Sequence, residues 1–378
     1  MGRRCGKAAA VADRAIRRCA SGVSCGARCA GRGNGRVDTT GPAASRVVEL
    51  DALRGLAALA VVAFHYTTLY GELHGHLGEP PPSFAFGNYG VHLFFLISGF
   101  VIFMTLERTR TAMDFVVSRF SRLFPAYWVA ILTSAAFVYT IGMSSQRLPL
   151  ADVLLDFTMV QQLLGAEHID GSYWTLQVEL FFYLQMLAWF GLGLLGRIRW
   201  IIAGWLLLAI GYGLATKYDR HFSYTVRELL ILRHIPFFAL GILFYRLRAF
   251  PSRWQLDACL VAACITAIAI AYPPVYAEVA LACTGIFALF TAGKLGWLRA
   301  APFAFFGTIS YSLYLLHQAI GFSLIWQFEH AGLGAIAAAA CAALIVTGLA
   351  TLLTFLVERP AMRLIRDAWK RRRAPVPA

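Results

Sequence analysis

The sequence predicts an all-α integral membrane protein of about ten transmembrane helices, preceded by a disordered basic tail. Three observations carry this expectation. The chain is 59% hydrophobic with a mean hydropathy of +0.63 and only 14% charged residues, where soluble domains carry about a quarter. Apolar stretches separated by short polar loops recur at about 50–70, 88–106, 124–142, 174–195, 200–216, 229–245, 256–272, 275–293, 304–327 and 332–357. Each is near the length that a tilted helix needs to cross a bilayer. The two-residue alternation of an outer-membrane barrel is missing.

Residues 1–46 differ in kind from the rest. They are rich in Arg, Gly, Ala and Ser, as in GARCAGRGNGR, and show no apolar periodicity. Such a composition buries no core and predicts a disordered tail. It holds Cys5, Cys19, Cys25 and Cys29, but not in the Cys-x-x-Cys pairs of a zinc site, so no metal is expected.

The first span, LDALRGLAALAVVAFHYTTLY, carries Arg54 and His65. Eleven positions at 1.5 Å each separate them by roughly 16 Å along a helix, about half the hydrocarbon depth. Ionisable groups at such depth mark functional sites or pathways, or else they reach an interface or a partner helix. The second span, NYGVHLFFLISGF, contains His92, then Ser98 and Gly99, which permit close approach of another helix. The third follows SRFSRLFPAYW, where Pro125 marks the helix start and Arg119 and Arg122 lie one turn apart. Paired guanidinium groups at a membrane boundary suit phosphate oxygens, of a ligand or of lipid.

The fourth span, GSYWTLQVELFFYLQ, places Gln177 and Glu179 near its outer end, where a carboxylate must be neutral, paired or wet. In the ninth, ISYSLYLLHQ brings Tyr311, Tyr314 and His317 close to one face, a pattern read as a packed polar network. In VERPAMRL, Glu358 and Arg359 precede Pro360, which is expected to end the tenth helix.

Basic residues set the orientation. Arg108, Arg110, Arg119 and Arg122, then Arg197 and Arg199, then Arg246, Arg248 and Arg253, then Lys294 and Arg299 occupy alternate loops, and six more lie between Arg363 and Arg373. The intervening loops are poorer, with Lys217, Arg220 and Arg227 as the exception. The positive-inside rule therefore predicts both termini in the cytoplasm. The net charge of +14 expresses this orientation and implies no nucleic-acid partner.

Five of these segments, in this order, resemble the membrane acyltransferase-3 family, the bacterial integral-membrane O-acyltransferases. They are ELDALRGLAALAVVAFH, GVHLFFLISGF, SRFSRLFPAYW, SYWTLQVELFFY, and ISYSLYLLH followed by VERP. The resemblance covers about residues 46–365, and it departs at His92, where the family commonly has an aspartate. Expected domains are a tail at 1–46, an acyltransferase membrane domain at 47–365 and a cytoplasmic basic tail at 366–378.

The resemblance implies transfer of an acyl group, most often acetyl from acetyl-CoA, to a hydroxyl of a carbohydrate such as a surface polysaccharide. A sugar hydroxyl needs a base, and imidazole titrates near neutrality. His65 is thus the expected base, Glu179 the carboxylate that fixes its tautomer, and Arg54 a group that binds CoA or stabilises developing negative charge. Arg119 and Arg122 are expected to hold the phosphates of CoA. Acyl-CoA is a co-substrate, no resident cofactor is expected, and the setting is the cell (inner) membrane. A proton-coupled transporter using the same His, Glu and Arg is the alternative.

Overall fold

The computed structural model describes residues 47–218, 220 and 223–373. The expected tail 1–46 and its four cysteines lie outside them. With no water to satisfy peptide groups in hydrocarbon, an apolar chain of this kind closes its hydrogen bonds within helices. All regular elements among the described residues are helical.

The first span is α1 (Val48–Phe64), which passes through a π turn (His65–Leu69) into α2 (Tyr70–His74). The second is α3 (Gly90–Arg108). The third, α4 (Ala112–Thr140), starts well before the expected Pro125. Thr111 caps it, its Oγ1 accepting from the Asp114 N–H at 3.3 Å and donating to that carboxylate at 2.8 Å, a start signal stronger than the proline. Pro125 lies inside the helix, and a neighbouring helix supports the turn before it, Tyr311 Oη donating to the Leu123 carbonyl at 2.8 Å.

A short α5 (Leu150–Asp156) lies in the following loop. Then come α6 (Trp174–Gly191), α7 (Ile198–Lys217), the short α8 (Tyr224–Leu229) and α9 (Ile235–Ala249). The last begins later than the expected 229, because Pro236 suits a first turn and Leu230–Arg233 form turns. The remaining helices are α10 (Trp254–Ala271), α11 (Pro274–Thr291), α12 (Ala301–His330), α13 (Ala335–Leu353) and α14 (Arg359–Arg373).

Pro360 does not end the last span. A second π turn (Thr354–Glu358) joins α13 to α14, and the wider turn accommodates the ring that would crowd an α-helical carbonyl. The expected tail from 366 is therefore helical through Arg373. It docks on α4, with Arg366 Nε donating to Ser121 Oγ at 3.1 Å and Trp369 Nε1 to Asp114 at 2.8 Å.

Among the described residues, seven helical segments are long and apolar enough to cross a membrane: Val48–His74, Ala85–Arg108, Ala112–Thr140, Leu195–Lys217, Pro251–Ala271, Pro274–Thr291 and Ala335–Arg373. The other three expected spans correspond to α6, α9 and α12. Of these, α9 is enclosed on all sides from Ile235 to Tyr245.

Small residues decide which helices touch. Helix α1 lies along α12, where Gly55 faces the Gly307 amide and Gly307 faces the Asp51 carbonyl. Helix α3 lies along α9, where Gly99 faces the Phe238 carbonyl and Gly241 the Leu96 carbonyl. Lipid gives helices no hydrophobic reason to associate, so such backbone-close contacts supply the packing. Helices α4 and α13 complete the group around α12, and α10 joins α7, α9 and α11. At the ends of α7, α9 and α10, Asp257 takes two bonds from Arg199 (2.8 and 2.9 Å) and one from Arg246 (3.1 Å). Part of the expected orientation signal is thus also a structural lock.

Candidate active site

His65 opens the π turn of the first span and is 8% exposed. Its Nδ1 lies 2.8 Å from the Val61 carbonyl. A carbonyl can only accept, so Nδ1 carries the proton and Nε2 the lone pair. The ring of His317, on α12, stands edge-on to it at 4.6 Å between centroids. His317 repeats the arrangement, with Nδ1 2.7 Å from the Tyr314 carbonyl and a buried Nε2 without a partner. Two imidazoles are therefore fixed in one tautomer by main-chain carbonyls, each keeping a basic nitrogen. The Gln318 amide reaches the His65 ring.

The loop before α6 locks this pair. Asp170, fully buried, accepts from the Ala319 N–H at 2.8 Å with one oxygen, and from Ser172 N at 2.9 Å and Ser172 Oγ at 2.5 Å with the other. Burial pushes its carboxyl above the usual carboxylate range, while those donors and the charge of His65 pull it down. Three more side chains reach carbonyls around His317. Tyr66 Oη donates to the His317 carbonyl at 2.7 Å, Tyr173 Oη to that of Leu315 at 3.1 Å, and Ser172 Oγ to that of Tyr314 at 3.3 Å. Side chains from two separate segments, the π turn of the first span and the loop before α6, thus fix the turn of α12 that carries His317.

A second polar cluster lies toward the arginine end of α1. Arg54 approaches Asp51 at 3.5 Å, and the charges of Arg122 and Glu179 act on it. Arg122 pairs with Glu358, whose other oxygen accepts from Ser312 Oγ at 2.9 Å, and it lies over the Tyr311 ring at 5.3 Å. Arg119 sits between the rings of Phe115 and Tyr183 at 5.8 and 5.9 Å, its Nε buried without a partner. Arg366 of α14 faces both Arg119 and Arg122. Four guanidinium groups from α1, α4 and α14 thus converge, tempered by Glu179 and Glu358.

The expected site residues therefore divide. Arg54, Arg119 and Arg122 come together. Glu179 joins them, accepting from Ser98 Oγ at 2.9 Å and from Tyr183 Oη, rather than standing beside His65. The carboxylate whose charge reaches His65 is Asp170. Asp170, His317 and Glu358 escaped the functional reading of the sequence. A signal for Asp170 existed in Asp-Gly-Ser ahead of the fourth span, where an acid can cap the turn that leads into the helix. No cluster of three metal-ligating side chains is present among the described residues.

The acyltransferase-3 family model, described as an acyltransferase domain, matches residues 47–358. Acyltransferase MdmB of Streptomyces mycarofaciens is 27% identical over 378 residues, covering 88% of this chain and 97% of that protein. Nodulation protein 10 of Rhizobium leguminosarum bv. viciae is 31% identical over 202 residues, or 46% of this chain and 52% of the relative. No solved structure matches the chain. A family match running from the first helix to Glu358 takes in the imidazole pair, Asp170 and three of the four converging arginines: the chain belongs to the acyltransferase-3 family and is a membrane acyltransferase.

Proposed function

We propose that the protein moves an acyl group, acetyl in the simplest case, from acyl-CoA to a hydroxyl of a carbohydrate acceptor. The observation that carries this reading is the His65–His317 pair, two buried imidazoles that both keep Nε2 basic. Nε2 of His65 takes the proton of the acceptor hydroxyl as its oxygen attacks the thioester carbonyl. The carbon–sulfur bond then breaks, and the CoA thiolate recovers the proton from the imidazolium. The charge of Asp170 stabilises that imidazolium through space, while the Val61 carbonyl holds its Nδ1–H. In an acyl-histidine route Nε2 of His65 would instead attack the thioester itself and expel the CoA thiolate, and the acceptor oxygen would then displace the imidazole, its proton passing to the thiolate.

Arg119, Arg122 and Arg366 offer the phosphates of CoA a cationic seat at the face to which the basic loops orient, the cytoplasmic one in this reading. Arg54, roughly 16 Å along the helix from His65, lies with that seat. Glu179 sets the position of the arginine cluster. The donor thus approaches from the cytoplasm, with both termini there, and the acceptor from the opposite side of the inner membrane.

Membranes containing the wild type or His65→Ala, given labelled acetyl-CoA and the host's glycans, test the reading. Label is expected in glycan with the wild type alone at equal protein abundance. Equal labelling by both removes His65 from the mechanism, and no labelling from any acyl-CoA removes the donor.

A further inference from the structure

Helices α3, α6, α9 and α11 all start at the end of the bundle opposite the arginine cluster, and their first turns converge on a second imidazole pair. His92, two residues into α3, is 4% exposed, and neither ring nitrogen closes a hydrogen bond, although the Tyr89 carbonyl beside it acts on the ring. His234, which precedes α9, is 9% exposed, with Nδ1 buried and unpartnered. The two rings lie 6.3 Å apart.

Aromatic rings surround them. Phe237 is 4.5 Å from His92, Tyr276 5.4 Å and Tyr89 5.8 Å, while Trp174 is 5.3 Å from His234. Tyr89, Trp174 and Tyr276 are partly exposed and the imidazoles are not, so the aromatic residues form a rim and the histidines a floor. Gln177, one turn below Trp174 on the same face of α6, is 1% exposed with both amide atoms unpartnered.

Buried polar atoms without partners are costly, and natural proteins rarely leave several in one place. Here the unpartnered atoms belong to His92, His234 and Gln177, groups that both donate and accept, under exposed aromatic faces. A lipid tail would cover the rings and leave the nitrogens unpaired. A polyhydroxylated ring satisfies both, its C–H face on the aromatic rim and its hydroxyls on the imidazoles and the amide. The charges acting on His234 are Arg227 and Arg233, which suits a neutral or acidic sugar.

The cluster also connects to the first pair. Trp174 and Phe94 pack on the small cluster of Val61, Val91 and Tyr314, the Tyr314 ring is 5.3 Å from that of His317, and Thr175 Oγ1 donates to Tyr314 Oη at 2.8 Å. A packed file of side chains thus runs from His234 through Trp174 and the Val61, Val91 and Tyr314 cluster to His317 and His65.

We propose that His92, His234 and Gln177, beneath Tyr89, Trp174 and Tyr276, form the subsite that binds the carbohydrate acceptor. The proposal rests on the acyl-transfer reading for what is done to the bound sugar, and not for its binding.

The test uses His92→Phe, His234→Phe and His92→Asn in the full chain, with two readouts. The first is acetyl transfer to the host's glycan fraction at varied donor and acceptor. The second is the thermal midpoint of the purified protein with and without that fraction. If the rings only fill space, Phe removes unpaired nitrogens at little change in shape, so the midpoint holds or rises and the acceptor KM stays at the wild-type value. That result overturns the proposal.

The expected result is a held or raised midpoint with the acceptor KM up about tenfold or more, one charge-neutral hydrogen bond or two being lost. The donor KM stays within about twofold, and Asn recovers part of the loss. If the wild type transfers no acetyl group, stabilisation by glycan in the wild type but not in His92→Phe sustains the subsite and overturns only the acyl-transfer reading. Stabilisation of neither, or of both alike, overturns the subsite.

Discussion

At the scale of single residues, the site was half legible. Arg54 and His65 stand out because each is ionisable inside one apolar run, and a bilayer makes such residues expensive. Asp170 and His317 do not stand out in that way. One looks like a turn residue and the other like part of a tyrosine-rich helix face, and only the packing of α12 against α1 makes them neighbours of His65. Glu179 looked equally suited to the histidine until its depth along α6 placed it with Ser98 and Tyr183.

Two expectations belong to this scale. His317→Ala should lower kcat for acyl transfer by at least about tenfold with little change in donor KM, since it removes a basic nitrogen and not a phosphate contact. Wild-type kcat in that variant would leave His65 acting alone. The second concerns pH. Burial pushes the Asp156 carboxyl, in the loop before α6, up to about 7 from its ordinary 3.8. The native state then holds a proton that the unfolded chain releases, so its contribution to stability is full below 3.8 and lost as pH rises toward about 7. Burial lowers neighbouring His168 to about 4, which gives the opposite slope, stability being lost as pH falls from 6.5 toward 4. Asp156→Asn should remove the first slope only. Its unfolding free energy relative to wild type should climb between about pH 4 and 7 and then level off, by a few kcal/mol at most, the thermal midpoint following in direction. A difference independent of pH would show that Asp156 titrates normally.

Among helices, apolar length revealed where spans lie and polar pattern misjudged where some begin. Pro125 and Pro360 look like boundaries because proline breaks isolated helices, yet α4 runs on through the first and a widened turn takes the second. The amphipathic α14 reads as a basic tail because its partners, Ser118, Ser121 and Asp114, lie on a helix far away in sequence. The contact between α3 and α9 was half visible, in Ser98 and Gly99, and Gly241 supplies the other half. A side chain at Gly241 would meet the Leu96 carbonyl and the Phe100 amide. Gly241→Val should therefore cost several kcal/mol by the overpacking of a rigid backbone contact, visible as loss of folded protein after detergent extraction. Normal yield and thermal midpoint would mean that the two helices separate at little cost.

For the whole molecule, the alternation of basic and neutral loops yields an orientation without any contact being known. A fluorescent reporter fused after residue 378 should fold and emit, while an alkaline phosphatase fused there should stay inactive, both reporting a cytoplasmic end. The reverse pattern would exchange the sides assigned to donor and acceptor. Composition could not reveal that the polar residues sort into clusters at different depths. Depth depends on which turn of which helix faces inward, a property of packing rather than of content.

The π turn at His65–Leu69 has a consequence of its own. One extra residue in a turn throws a helix out of phase by about 100°, so positions before it and after it obey different faces. Arg54 belongs to the phase set by α1, whereas Tyr70 and His74, which meet Phe322 of α12 at 5.4 and 5.6 Å, belong to the other. His65 stands at the seam between them. Its aim toward His317 is thus set by an insertion in the helical count, and removing a single residue there would realign the span as a continuous spiral while turning everything beyond Phe64 away from its neighbours.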